Sequence, residues 1–520
     1  MTPCFASETP LSVTADSRHI SQLAITGIRW KFYSTLFLAV SQFIFGIALA
    51  RLLSPADFGI YGYAMIFVGF ISVYAQAGIA PAIVQRQQIT PEHIKVAFTL
   101  SLLIGLAATV FLCLLAPILT EGFNTPVLRI LSMTFLLSSL GSVPGALLEK
   151  QVNFKSLFWI DAFSTLAGQG ILAIALAMAG LGVWALVSGI LLYVLSRNLV
   201  LFAISPHPLG FSSSAGRARE LMHFGVGMSL SRLALYGAEN GGYFVIGRLL
   251  PPAALGLYTR AYQLARVPAG HFAYLLTSVL FPVYSIIQND KDRLKRGFYV
   301  SISLVAFVTI PSMVFLAFAA DRLIPLIYGS VWSGSIHSMQ ILCASGALMS
   351  IYTLGDTISR AKGLVYAKLL RNSIHAVIVV AGSFLGVPFG IEGVAVACAA
   401  SALAMFIMVM QLGKEIVDGS WHDIFKAHLP GVLMGALIAA VSSLVLVVAG
   451  LHNLPALPVL LALSVGFIST YFAALAFLPA RLHGDIPEFV LNQCSSFLPP
   501  WFVDMLSKRW QMPVAGQVRS

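Results

Sequence analysis

A stretch of fourteen residues recurs in this chain with its pattern kept. Arg51-Leu-Leu-Ser-Pro-Ala-Asp-Phe-Gly-Ile-Tyr-Gly-Tyr-Ala64 returns as Arg248-Leu-Leu-Pro-Pro-Ala-Ala-Leu-Gly-Leu-Tyr-Thr-Arg-Ala261, with eight of the fourteen positions identical at a constant offset of 197 residues. Each copy falls between two long apolar segments, so the repeated unit is the joint between helices. Self-similarity over this distance in so apolar a chain points to two related helical bundles. A simple membrane anchor has no use for a second copy. Two bundles that rock against each other expose a central site to either side of a bilayer in turn.

Composition supports a membrane class. Of 520 residues, 58% are hydrophobic and 10% charged, against about 25% charged in soluble domains. The net charge of +11 does not signal nucleic acid, because the basic residues sit in short loops between apolar segments, where they orient a chain in a membrane. The five cysteines, Cys4, Cys113, Cys343, Cys398 and Cys494, have neither metal-ligand nor disulfide spacing and read as small buried hydrophobes. The polar N-terminus lacks the apolar core of a signal peptide, so the first apolar segment is expected to be a retained span.

A spanning helix needs about 20 apolar residues. Fourteen segments qualify: 32–52, 58–84, 96–118, 127–148, 157–179, 182–203, 222–247, 258–286, 298–319, 333–358, 366–386, 391–412, 431–449 and 457–478. With the N-terminus inside, 24 of the 31 Lys and Arg residues fall in or beside inner loops and termini, four in outer loops and three within spans. That asymmetry puts both termini in the cytoplasm. The repeated joints lie six spans apart, an even number, so the halves share one orientation and are related by an axis along the membrane normal. The expected fold is therefore all-α and polytopic, with two six-helix bundles and two extra C-terminal helices. The expected divisions are a cytoplasmic segment 1–24, a bundle 25–205, a linker 206–220, a bundle 221–412, two helices in 413–478 and a cytoplasmic tail 479–520. Aromatic and basic residues in the tail suit a segment lying in the headgroup layer, and a disordered tail fits them equally well. A weaker echo relates Gly180-Leu-Gly-Val-Trp-Ala to Gly390-Ile-Glu-Gly-Val-Ala.

At Arg51-Leu-Leu-Ser-Pro-Ala-Asp-Phe-Gly the chain resembles the polysaccharide transporter family, the Wzx-type flippases of the multidrug/oligosaccharidyl-lipid/polysaccharide exporter superfamily. The resemblance runs on through Ala80-Pro-Ala-Ile-Val-Gln-Arg86, Ser142-Val-Pro-Gly-Ala-Leu-Leu-Glu-Lys150, Ile246-Gly-Arg-Leu-Leu250, Leu255-Gly-Leu-Tyr-Thr-Arg-Ala-Tyr262 and Leu280-Phe-Pro-Val-Tyr284. It implies two bundles around a central cavity and alternating access. It also implies a polyprenyl-diphosphate oligosaccharide as cargo, moved from the cytoplasmic to the periplasmic leaflet of a bacterial inner membrane for O-antigen, capsule or exopolysaccharide assembly. Many relatives carry an acidic residue six positions before the arginine of Ile-Gly-Arg; Gly242 stands there in this chain.

Ionisable side chains inside spans are costly and usually face a cavity or a partner. The seventh span holds Arg232, Glu239 and Asn240, and Glu239 is the offset-197 counterpart of Gln42 in the first. These polar groups are expected on facing walls of one cavity, unless Arg232 and Glu239 simply pair. Arg260, Arg266 and His271 lie in the eighth span. The arginines suit a diphosphate through charge-assisted bonds, and His271 suits proton coupling. Arg29 and Lys31 at the inner mouth can collect an anionic headgroup, although positive-inside topology explains them equally well. Glu239 is the expected acid for a coupling H+ or Na+; Asp161 and Asp356 are further candidates, although stitching helices together is the more expected role of each. Asp356 is expected to pair with Arg360 one turn on.

No nucleotide loop, metal-ligand set or enzyme constellation is present, and no cofactor is implied. The partners implied are the lipid-linked oligosaccharide, membrane lipids and polysaccharide polymerase machinery. Two other readings are a cation-coupled multidrug exporter of the same superfamily and a membrane-embedded polymerase, although the short outer loops leave little chain for a catalytic surface.

Overall fold

The computed structural model describes residues 17–75, 79–86, 89–120, 124–205, 212 and 233–477, and among them helices joined by short turns account for the fold, with no strand. In chain order the helices are α1 (Ser17–Leu52), α2 (Pro55–Ala75), α3 (Ile79–Gln85), α4 (Pro91–Leu119), α5 (Asn124–Lys150), α6 (Phe154–Met178) and α7 (Val183–Ile204). They continue as α8 (233–249), α9 (Pro252–Ile287), α10 (Lys291–Tyr328), α11 (Ile336–Ala361), α12 (Val365–Gly386), α13 (Gly390–Ile416), α14 (Trp421–Leu451) and α15 (Ala456–Phe477). Hydrocarbon leaves backbone polar groups no partner but one another, which is why an apolar chain of this kind is helical.

Eleven segments of the described residues are long and apolar enough to cross a membrane. One of them, Tyr366–Ile416, is α12 and α13 run together through the tight turn Val387–Phe389. α8 and α9 fall outside that set. α8 starts at the edge of the described residues, and in α9 Leu276–Ile287 forms a shorter apolar stretch. Each of the fourteen expected spans overlaps a helix, and 58–84 is divided between α2 and α3. The N-terminal segment to residue 16, nearly all of the 206–220 linker and the tail lie outside the described residues.

Two compact units form. One comprises the described residues up to Leu53 and from Phe67 through α7; the other comprises Ser54–Ile66 and everything described from α8 onward. The helix α2 thus contributes its first turns to the second unit.

Those first turns explain the repeated sequence. Ser54 caps α2, its hydroxyl and backbone N–H both bonding to the Asp57 carboxylate at 2.6 and 3.0 Å. Pro55 and Pro252 then supply the preset φ that opens a helix. Four residues on, Gly59 packs on the carbonyl of Pro252 and Gly256 packs on the carbonyl of Pro55. A Cβ at either glycine would collide with backbone. The two copies of the motif are therefore each other's binding surface, crossing in a reciprocal, locally two-fold arrangement. Glycine recurs in both copies because the close approach permits nothing larger. Arg260 reinforces the crossing. It is 9% exposed, lies 4.0 Å from the centre of the Phe58 ring and 5.7 Å from that of Tyr328, and donates to Gln263 Oε1 at 2.9 Å.

Elsewhere the second unit is held by an apolar core in which Tyr284, Phe298, Ile302, Leu354, Ile358, Val409 and Met410 are at most 1% exposed. The C-terminal helices join it. Gly431 of α14 rests on the backbone of Ala306 in α10, and the Tyr471 hydroxyl of α15 donates to Phe307 O at 2.8 Å. In the first unit α6 passes through a π-helical turn at Leu166–Leu172, and the core gathers Ile79, Ile83, Val96, Ala97, Phe98 and Val143.

Candidate transport cavity

Five helices of the second unit, α8, α9, α11, α12 and α13, enclose a cavity of about 590 Å3. The residues that face it follow helical spacing. On α9 they include Tyr258, Tyr262, Arg266, Gly270 and Ala273; on α12 they are Lys368, Asn372, His375 and Val379. α8 contributes Glu239, Gly242 and Tyr243, and α11 contributes Tyr352, Asp356 and Arg360.

The charges are organised as pairs. Arg266 Nη2 donates to Glu239 Oε1 at 2.6 Å, and Lys368 Nζ lies 2.8 Å from Asp356 Oδ2. A charge at membrane depth costs about 2.5–3.5 kcal/mol on insertion scales, and pairing offsets much of that. Arg360 differs from both cations. It donates to Thr357 Oγ1 at 3.3 Å and stands 5.5 Å from the Phe281 ring centre, and no carboxylate of the described residues pairs with it. Three cations and two carboxylates thus line the cavity. The remaining wall mixes small and aliphatic side chains with aromatic rings and hydroxyls. Tyr243 packs edge-on to both Tyr258 and Tyr262, Tyr352 meets the His375 ring, and the Tyr258 hydroxyl donates to Cys398 Sγ at 3.1 Å.

Among the residues singled out from sequence, Glu239, Arg266 and Asp356 line this cavity. The expected pairing of Asp356 with Arg360 does not form. The three-residue turn between α11 and α12 reverses the chain at Gly363, whose φ is +73°, and this returns Lys368 to Asp356 while Arg360 stacks on Phe281. Glu239 and Arg266 were assigned separate roles from sequence, and they meet. Asn240 lies off the cavity, its amide donating to Tyr236 O at 3.0 Å within α8. Arg260 is engaged at the helix crossing, away from the cavity. Asp161 of the first unit is held by Arg197 Nε at 2.7 Å, between α6 and α7. Arg29, Lys31 and Gln42 are exposed on α1. Arg232 and the side chain of His271 lie outside the described residues.

Sequence reading passed over Lys368, Asn372 and His375. A lysine beside an inner loop, as Lys368 is, reads as a topology signal. Their spacing of i, i+4 and i+7 on a single span was the available sign of a polar face. Gly242 lines the cavity, and a Cβ there would lie 3.2 Å from Cys398 Sγ and 3.5 Å from Val394 Cγ1. The carboxylate of this wall comes instead from Glu239, almost one turn earlier on α8.

A multi-pass helical membrane protein with a charged, tyrosine-walled cavity is what the fold and the site define, and solved structures share the architecture. The lipid II flippase MurJ in an inward closed conformation aligns with a TM-score of 0.66 at 15% identity, over 85% of this chain and 98% of that one. An inward-facing multidrug resistance MATE family transporter of the MOP superfamily aligns at 0.58 and 15% identity, over 74% and 98%. The chain belongs to the polysaccharide biosynthesis protein family, whose model matches residues 48–337. Similar proteins include the lipopolysaccharide biosynthesis protein WzxC of Escherichia coli K12, 25% identical over 64% of this chain and 68% of that one. The teichuronic acid biosynthesis protein TuaB of Bacillus subtilis is 25% identical over 66% and 72%. The succinoglycan biosynthesis transport protein ExoT of Rhizobium meliloti is 28% identical over 58% and 62%.

Proposed function

We propose that the chain is a flippase. It moves a polyprenyl-diphosphate-linked oligosaccharide from the cytoplasmic to the periplasmic leaflet, by alternating access, for O-antigen, capsule or exopolysaccharide assembly. The observation that carries this reading is the cavity itself, with Arg266, Arg360 and Lys368 set among tyrosines inside apolar helices. A glycan headgroup cannot cross hydrocarbon without losing water, and each unmet polar group costs several kcal/mol. A hydrated, polar cavity removes that barrier, while the prenyl tail stays in lipid through a lateral opening. Cationic side chains match the diphosphate by charge-assisted bonds, and tyrosines offer apolar ring faces with polar tips to sugars. The names of the relatives, which speak of lipopolysaccharide, teichuronic acid and succinoglycan, support a place in polysaccharide assembly.

On this reading both termini are cytoplasmic in a bacterial inner membrane, and the moving halves are 25–205 and 221–412. Glu239 and Asp356 take a coupling H+ or Na+ when cargo draws Arg266 or Lys368 away. Purified protein in liposomes is expected to carry a fluorescent lipid-linked oligosaccharide between leaflets. Retention of that lipid on its starting face, in folded and correctly oriented samples, refutes the reading. In a native host, loss of surface polysaccharide on deletion supports it, and drug sensitivity with normal polysaccharide favours the multidrug exporter instead.

A further inference from the structure

The charges of the cavity are not equivalent. At the end nearest the α11–α12 turn stand Asp356, Arg360 and Lys368, with Asn372 one turn further along α12. Farther along α9 toward its start stand Arg266 and Glu239, beside Tyr262 and Tyr243. In both places a carboxylate holds a cation, at 2.8 and 2.6 Å. Only at the first place is there surplus positive charge, because no carboxylate of the described residues pairs with Arg360.

A second, independent feature marks the same end. Asn372 is 2% exposed and lines the cavity, yet its Nδ2 has no hydrogen-bond partner. A buried amide donor left unpaired costs about 1–3 kcal/mol, and native structures rarely leave such a group unused. Lys368, Asn372 and His375 project from one face of α12, so the free amide and the ammonium are neighbours on the same wall. Surplus cation, an ammonium held only by a displaceable carboxylate and an unsatisfied N–H together call for an acceptor with several anionic oxygens.

We propose that Arg360, Lys368 and Asn372 form an anion subsite for a phosphate or diphosphate group at the α11–α12 end of the cavity, distinct from the Arg266–Glu239 pair. Arg360 makes the first contact, since it gives up no ion pair. Lys368 follows by leaving Asp356, and Asn372 donates its free N–H. By the topology read from charge, this end faces the cytoplasm, where cargo enters. The inference rests on the reading that the cavity receives an anionic lipid headgroup. The source of that headgroup is either a prenyl diphosphate or an ordinary anionic phospholipid.

The test is equilibrium binding of radiolabelled farnesyl diphosphate to the full chain in nanodiscs of phosphatidylcholine. Arg360→Gln is expected to weaken binding about tenfold, equivalent to ~1.4 kcal/mol, and Lys368→Gln to weaken it similarly. Asp356→Asn is expected to tighten binding about threefold, because it removes the competitor for Lys368. A misfolded variant cannot produce that gain. Wild-type affinity in Arg360→Gln overturns the subsite, as does an Asp356→Asn variant that binds more weakly than wild type. Repeating the titration with phosphatidylglycerol in the nanodisc separates the sources. A wild-type affinity that falls, while that of Arg360→Gln does not, assigns the subsite to anionic headgroups in general; an unchanged affinity assigns it to the diphosphate. Either result upholds the subsite. A protein that shows these variant effects yet fails to move a lipid-linked glycan keeps the subsite and loses the flippase; one that moves the glycan while Arg360→Gln binds like wild type does the reverse.

Discussion

In the first unit Asp161 meets Arg197 at 2.7 Å between two neighbouring helices, while in the second Glu239, Arg266, Asp356, Arg360 and Lys368 arrive from four helices on one cavity. The two units use their charges differently. The first uses a carboxylate to stitch α6 to α7. The second gathers charges around empty volume, where a ligand can compete for them. Gln42 and Glu239 occupy matching places in the repeat, yet Gln42 is exposed on α1 and Glu239 holds Arg266. Duplication kept the joint and let the chemistry diverge.

The largest effect is expected at the residues the two copies of the motif still share. Gly256→Leu would drive a side chain into the carbonyl of Pro55, and Gly59→Leu into that of Pro252. Overpacking costs about 1–3 kcal/mol where side chains can yield, and backbone on both sides cannot yield. Either variant is expected to abolish monodisperse protein on size-exclusion chromatography in detergent. Recovery of folded protein at the wild-type level would mean that the crossing is not the joint on which the second unit depends.

The stitching role of Asp161 predicts a smaller and different effect. Removing one partner of a buried pair costs about 3–5 kcal/mol, less here because both side chains keep some exposure, 18% for Asp161 and 30% for Arg197. Asp161→Asn is expected to lower the unfolding temperature by several degrees and leave farnesyl diphosphate affinity unchanged. A loss of affinity at unchanged stability would place Asp161 among the transport residues and erase the contrast between the units.

The smallest effect belongs at the surface. The hydrogen bond from Lys291 Nζ holds the Asp418 carboxyl below the usual aspartate range. A carboxylate with a depressed pKa adds stability above its unfolded value, and that stability is lost as pH falls through the folded one. Both partners are in water, so the contribution is screened. Asp418→Asn is expected to shift the unfolding temperature barely at neutral pH and not at all in strong acid. A large shift at neutral pH would show that the α13–α14 turn is a real clamp on α10.

Helices were legible because an apolar run is one-dimensional information, and the joint was legible because it occurs twice. What the sequence could not supply was rotation about each helix axis. That rotation sends Asp356 to Lys368 across a turn and leaves Arg360 to Phe281, and it unites Glu239 with Arg266 when each looked available for separate work. Lys368 was hidden for another reason. A lysine near the end of a span carries a topology signal, and that explanation sufficed until the fold placed its ammonium in the cavity. Arg260, expected among the groups for a diphosphate, instead lies against the Phe58 and Tyr328 rings.

On the proposed function, the cavity of the second unit carries the cargo headgroup. This is tested most directly by leaflet-resolved transport of a lipid-linked oligosaccharide in proteoliposomes, with Arg266→Gln compared against Asp161→Asn at equal amounts of folded protein. Arg266→Gln is expected to fall by about tenfold or more, in line with loss of a cavity cation, and Asp161→Asn to keep most of its activity. Equal loss in both variants, or wild-type transport by Arg266→Gln, would contradict it.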